Sequence, residues 1–150
     1  MNDAFHWATV NSREYLRCRP LSERTPHLFS TRQLELPADH GLRRENIGVF
    51  ARDLGVEPER LLRGRQVHGA AVLVAGDAAR PVDSGLADAD AIVSVEPDTA
   101  CSVQVADCVP ILLANGHAVG AVHAGWRGTR GSARGRAAGP SSRRTPARRK

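Results

Sequence analysis

The segment QVADCVPILLANGHAVGAVHAGWRG, residues 104–128, holds a cysteine and a histidine, Cys108 and His123, on either side of Asn115-Gly116. A thiolate beside an imidazole supports two chemistries: nucleophilic catalysis with the ring as base, or shared coordination of a metal ion. Either one needs the two side chains on the same face of a sheet. Asn-Gly between apolar runs predicts a two-residue type I′ hairpin. That register sets Ala114 opposite His117 and Cys108 opposite His123, with Cβ atoms about 4.5–5.5 Å apart. A sulfur ligand at ~2.3 Å and an imidazole nitrogen at ~2.0 Å fit one ion across such a gap. Pro110 complicates the pairing, because it has no N–H for the ladder. Either that edge is unpaired or a bulge shifts the register, and a one-residue shift sends Cys108 and His123 to opposite faces.

A third donor is offered by His68 in RQVHGA, followed by Gly69, which lets the backbone approach a site closely. Two histidines and one cysteine with an open fourth position are the arrangement of a catalytic zinc ion. On residue types and spacing alone, three readings stay open. Cys108 is a small buried residue and His123 a satisfied core histidine; or the two form a nucleophile–base dyad; or both bind a metal with His68. Asp107 is a general acid/base or a partner that orders the site, or else a solvated strand-end acid. Arg127, between Gly125 and Gly128, suits phosphate or carboxylate, or is a plain surface arginine. Trp126 is expected to pack in the core. His6, His27, His40 and His117 lack a comparable setting.

The elements that must position these groups are partly legible. RRENIGVFARDLG (43–55) predicts a helix, with Ile47, Phe50, Ala51 and Leu54 on one stripe and Gly55 as its stop. A short turn follows at 58–62. HLFSTRQLEL (27–36), RQVHGAAVLVAG (65–76), AIVSV (91–95) and ACSVQVADC (100–108) read as strands, and DSGLADAD as an acidic loop before AIVSV. Residues 1–26 give no clear periodicity. The 150 residues suit one domain with a mostly aliphatic core, since aromatics are only 4%. No apolar run is long enough for a membrane span and the N-terminus has no signal-peptide pattern, so a cytoplasmic protein without a membrane partner is expected. Three scattered cysteines fit a reducing compartment.

The net charge of +5 hides an asymmetry: residues 130–150 carry eight bases and no acids, which leaves 1–129 at −3. The tail, RGSARGRAAGPSSRRTPARRK, has no aliphatic residue larger than Ala and is expected to be disordered. The expected organisation is a domain portion over 1–129 and a basic tail over 130–150. Nucleic acid is not expected as a partner except through that tail.

Four motifs in order, RQVHGAAV, DADAIVS, ADCVPILLA and GAVHAGWRGT, resemble the polyphenol-oxidase or laccase-domain family of purine nucleoside phosphorylases. The resemblance spans 65–129, with a looser likeness back to about residue 27. It implies an α+β fold, a mixed α/β sandwich. It implies a cytoplasmic metalloenzyme that phosphorolyses adenosine, inosine and 5′-methylthioadenosine and deaminates adenosine, with purine nucleosides and phosphate as its ligands. The family's metal trio falls on His68, Cys108 and His123, and its early arginine on Arg32 in STRQLEL, a substrate or phosphate contact. Zinc is the implied ion, and Cys/His sites accept copper too. TRQLELPADHGLRREN lacks the family's glycine pair, and the likeness stops at Thr129, which suggests a chain shortened or frame-shifted at its C-terminus, with activity affected accordingly. The rival functions are a metal-free Cys108–His123 hydrolase and a non-catalytic metal-binding remnant with a basic tail.

Overall fold

A computed structural model describes residues 3–34, 36, 44–75 and 86–132. Glu35 of the expected 27–36 strand, the start of the acidic loop, His40 and the tail beyond Ser132 lie outside the described residues. The chain opens with a hairpin, β1 (Phe5–Val10) and β2 (Arg13–Cys18), where the sequence gives no periodicity. Asn11 and Ser12 both take positive φ, 47° and 65°, the backbone that a two-residue hairpin turn requires. β1 alternates exposed and half-buried residues, β2 is mostly half-buried, and only Tyr15 is fully enclosed. Charged residues such as Arg13, Glu14 and Arg17 therefore mask the apolar signal. A one-turn helix α1 (Arg19–Ser22) leads to β3 (Phe29–Ser30), which pairs with β2.

The predicted helix is α2 (Arg44–Leu54), with Ile47 and Ala51 buried and Gly55 at φ 90° as its left-handed stop. A 3₁₀ turn (Pro58–Arg60) runs into β4 (Leu61–Leu62). Then follow β5 (Val72–Val74), β6 (Ala91–Ser94), β7 (Ala100–Cys101), β8 (Val109–Ala114), β9 (Val119–Ala124) and α3 (Trp126–Ser132). β4 and β7 pair in parallel. The main sheet has the order β5-β6-β9-β8, parallel between β5 and β6 and antiparallel elsewhere. This is a mixed α+β arrangement. Leu62, Leu73, Ala89 and Ile92 form one core cluster, and Ile47, Ala51 and Leu61 pack a second under α2. The opposite face of the main sheet carries Val72, Val74, Val109, Ile111 and Leu113, all exposed. Among the described residues no helix is long and apolar enough to cross a membrane.

Three expected strands are shorter than their apolar patterns suggest: among the described residues 27–36 keeps only Phe29–Ser30, 65–76 only Val72–Val74 and 100–108 only Ala100–Cys101. The N–H groups of Val67, His68 and Gly69 go to the Asp90 carboxylate and that of Gln104 to the Gln66 side chain, so these positions leave the ladder. The hairpin turn also differs from the expected one. β8 and β9 are joined by four residues, and Ala114 lies opposite Val119 rather than His117. The Asn115 carboxamide oxygen accepts the backbone N–H groups of His117 and Ala118 at 3.0 and 2.8 Å, which widens the loop. Pro110 consequently faces His123. The His123 N–H turns toward β6, donating to the Asp90 carbonyl at 2.7 Å, so the Pro110–His123 pair is a site without ladder bonds. Pro110 sits there without a bulge, its nitrogen directed away from β9.

One buried carboxylate ties α2 to the first hairpin. Asp53 accepts from the Tyr15 hydroxyl, from Asn11 Nδ2 at 2.8 Å and from Arg13 Nη1 at 2.9 Å. Burial raises its pKa, but these three donors outweigh it and hold the carboxyl below the usual range. Asp53→Ala is expected to lower stability by about 2–3 kcal/mol, read from the urea midpoint, because three donors lose their acceptor. The folded pKa lies below the unfolded value of about 3.9, so this stabilisation is present above that pH and is lost as pH falls through the folded value. The acid limb of the stability curve should accordingly flatten in Asp53→Asn.

Candidate metal centre

His68, Cys108 and His123 converge: their potential ligand atoms all lie within 4.8 Å of one another. Three separate pieces of chain deliver them. His68 is in the loop before β5, Cys108 in the bend that opens β8, and His123 in β9. The two-residue change of hairpin register leaves this intact. Cys108, in the bend, is two residues before Pro110, Pro110 opposes His123, and a shift of two preserves the face. The His68 and His123 rings meet edge to face, with centroids 4.7 Å apart. Their exposure is graded: His68 is exposed, Cys108 half-buried and His123 buried.

Asp90 organises the group, and nothing in its motif had marked it. It is 2% exposed at the foot of β6. Its carboxylate accepts the backbone N–H of Val67 (3.2 Å), His68 (2.9 Å) and Gly69 (2.7 Å), and His123 Nδ1–H at 2.8 Å. Burial pushes the carboxyl pKa up; the bonds from His123 and the three N–H groups outweigh that and hold it below the usual range. An ionised Asp90 fixes Nδ1 of His123 as the protonated nitrogen and leaves Nε2 as the lone-pair donor. It also holds His68 at φ 59°, a left-handed conformation that costs a non-glycine residue roughly 1 kcal/mol or more. The signal was available: Asp90, Ile92 and Ser94 alternate along one face, and all three are buried.

Two further devices fix the loops. Arg65 and Asp88 form an isolated parallel bridge, closed by Arg65 N to Ala87 O and Ala89 N to Arg65 O at 2.9 and 3.0 Å. Gln66 and Gln104 exchange bonds: Gln66 Nε2 donates to the Gln104 carbonyl at 2.6 Å, and Gln104 N–H to Gln66 Oε1 at 2.7 Å. This latch joins the His68 loop to the segment that carries Cys108. Glycines supply the clearance. A Cβ on Gly125 would stand 3.0 Å from His68 Cδ2 and 3.5 Å from Cys108 Sγ. One on Gly128 would collide with the Gly69 carbonyl. The donor set fits a metal ion: one sulfur and two ring nitrogens face a common point, one ring with its far nitrogen already committed.

The centre borders a cleft of about 1380 Å³ whose walls include His68, Asp107, Cys108, His123 and Arg32. Asp107 is exposed in the bend beside Cys108, and Arg32, also exposed, lines the same cleft. Arg127 is not among the lining residues; its guanidinium lies 5.0 Å from the Trp126 ring centre on the surface of α3. Trp126 itself is 65% exposed, against the expected core position, because it begins a helix beyond the sheet edge. α3 also continues through Ser132, past the point where the motif likeness stops.

A family model described as multi-copper polyphenol oxidoreductase laccase matches residues 39–144. A purine nucleoside phosphorylase from Synechocystis sp. is 35% identical over 136 residues, 86% of this chain and 47% of that protein. An adenosine deaminase from an unknown prokaryotic organism is 39% identical over 90 residues, 55% of this chain and 34% of its own length. The chain thus spans less than half the length of these curated relatives. The crystal structure of YlmD from Geobacillus stearothermophilus superposes with a TM-score of 0.65 at 28% identity, covering 86% of this chain and 55% of that one.

Replacing Asp90 with Asn puts an NH₂ group among four donors and removes the charge that orients His123. Zinc affinity, measured by competition with a chromogenic chelator, is expected to fall about 10- to 100-fold. Gly125→Ala should also weaken zinc binding by crowding His68, while far-UV circular dichroism stays unchanged.

Proposed function

This chain belongs to the multi-copper polyphenol oxidoreductase laccase family, and on that basis we propose that it is a zinc-dependent purine nucleoside phosphorylase that also deaminates adenosine. The observation that carries the reading is the convergence of His68, Cys108 and His123 at the wall of a cleft wide enough for a nucleoside. The relatives named for these two activities support the substrate class. His68, Cys108 and His123 would hold the ion, which supplies Lewis acidity toward a bound oxygen. Copper binds the same donor types and is the alternative ion.

The chain's own residues do the remaining work. In phosphorolysis, a phosphate oxygen bonds to ribose C1′ as the C1′–N9 bond breaks. The base departs with the bonding pair and takes a proton at a ring nitrogen, leaving ribose 1-phosphate. Asp107, exposed at the cleft beside Cys108, would carry that proton. Arg32, which also lines the cleft, would offer a fixed positive charge to phosphate or to the sugar. Asp90 keeps His123 oriented and its Nδ1 protonated throughout. A reducing, cytoplasmic setting suits a thiolate ligand that must stay unoxidised.

A second reading rests on a specific alignment: Asp90, His123 and Cys108 stand in the order of a carboxylate–imidazole–thiol relay, which suits a metal-free hydrolase. His68 argues for the metal, since a relay has no use for a second imidazole within 4.8 Å of the sulfur.

Purified protein is expected to carry about one zinc per chain by elemental analysis and to release hypoxanthine from inosine only when phosphate is present. His68→Ala should lose both metal and turnover. Thiol labelling at Cys108 should be slow until a chelator is added; immediate labelling with unchanged turnover would favour the hydrolase.

A further inference from the structure

Five residues before His68, in the strand-to-loop junction after β4, stands Arg63. It is 6% exposed, nearly as buried as its aliphatic neighbour Leu62, yet it lines the same cleft as the three convergent donors. Its single hydrogen bond among the described residues runs from Nη2 to Gln104 Oε1 at 3.0 Å, a neutral acceptor. No carboxylate pairs with it there. The acidic side chains of the cleft, Glu96, Asp98 and Asp107, are all exposed. Burial accordingly pushes the guanidinium pKa down. A charge taken out of water without a counter-charge is costly, and arginine keeps its proton regardless. Four of its five N–H donors are left over by Gln104.

We propose that Arg63 is the anion-binding residue of the cleft, positioned by Gln104, and that its ligand is the phosphate used in phosphorolysis. The proposal rests on the phosphorolytic reading above for the identity of the anion. A planar fork of donors in a partly dry wall matches two phosphate oxygens at once, and the missing counter-charge is the one phosphate brings. Gln104 is itself held by Gln66 through two backbone bonds. Gln66 lies two residues from His68. One short segment therefore spaces the anion site from the His68, Cys108 and His123 group. Gln104 acts as a positioning residue, because it orients the guanidinium without needing to touch the anion.

Inorganic phosphate is titrated into the full chain and into Arg63→Met and Arg63→Lys at constant ionic strength, by calorimetry and thermal melting. The wild type is expected to bind phosphate and to melt higher in its presence. Arg63→Met should bind about 10- to 100-fold more weakly. Without phosphate it should melt a few degrees above the wild type, since an uncompensated buried charge is gone. Arg63→Lys should keep the charge but lose the fork, with intermediate affinity. Equal phosphate affinity in all three proteins, or none in the wild type, overturns the proposal. Phosphate binding that depends on Arg63 in a protein inert toward nucleosides supports the anion site and refutes the phosphorolytic reading instead.

Discussion

The site depends on one buried carboxylate and the four donors that make its burial affordable. A lone ionised Asp90 in a dry sheet edge would neutralise itself or unfold its surroundings. Here three consecutive backbone N–H groups and one imidazole N–H converge on it. Each of those bonds also solves a positional problem. The N–H groups at 67–69 have no strand to pair with, and the carboxylate lets that loop leave the ladder and turn His68 into the cleft. The imidazole bond decides which nitrogen of His123 is left to act. Charge, backbone conformation and ring orientation are thus set by a single side chain.

Around that point the fold contributes rigidity through pairing and clearance through missing side chains. β9 is interior to its sheet, flanked by β6 and β8, so His123 sits on the best-supported strand available. Cys108 and His68 sit on loops, and each is secured by side-chain-to-backbone bonds through the Gln66–Gln104 latch and Asp90. Gly125 and Gly128 let α3 start beside the group, where a β-carbon at Gly125 would press on the His68 ring and one at Gly128 would collide with the Gly69 carbonyl. The helix comes nearest the Gly69 carbonyl at Gly128.

The sequence was most informative where periodicity and turn chemistry coincide. α2 follows from its apolar stripe and Gly55. The meeting of Cys108 with His123 follows from strand parity, and it survives a wrong turn length because an even shift keeps side chains on their face. The turn itself was misread because Asn115 has a second use: its carboxamide can cap two following N–H groups instead of adopting a left-handed backbone. Asp90 was hidden for a related reason. Acidic residues near Gly and Ala read as loop by composition, and only the alternation with Ile92 and Ser94 reveals an inward carboxylate. Arg63 was equally silent, since a buried guanidinium looks like any other arginine until its neighbours are known. The first hairpin escaped notice because both its faces are at least half wet, apart from Tyr15.

Pro110 has an effect outside the cleft. β8 is the outer strand of the described sheet, and it offers apolar side chains on its wet face, which is the composition of a strand that recruits copies of itself. A ring nitrogen without hydrogen, aimed outward near the start of that strand, interrupts the row of donors that a docking strand would need. The residue opposite His123 thus leaves a gap in the row of donors along the free edge of β8.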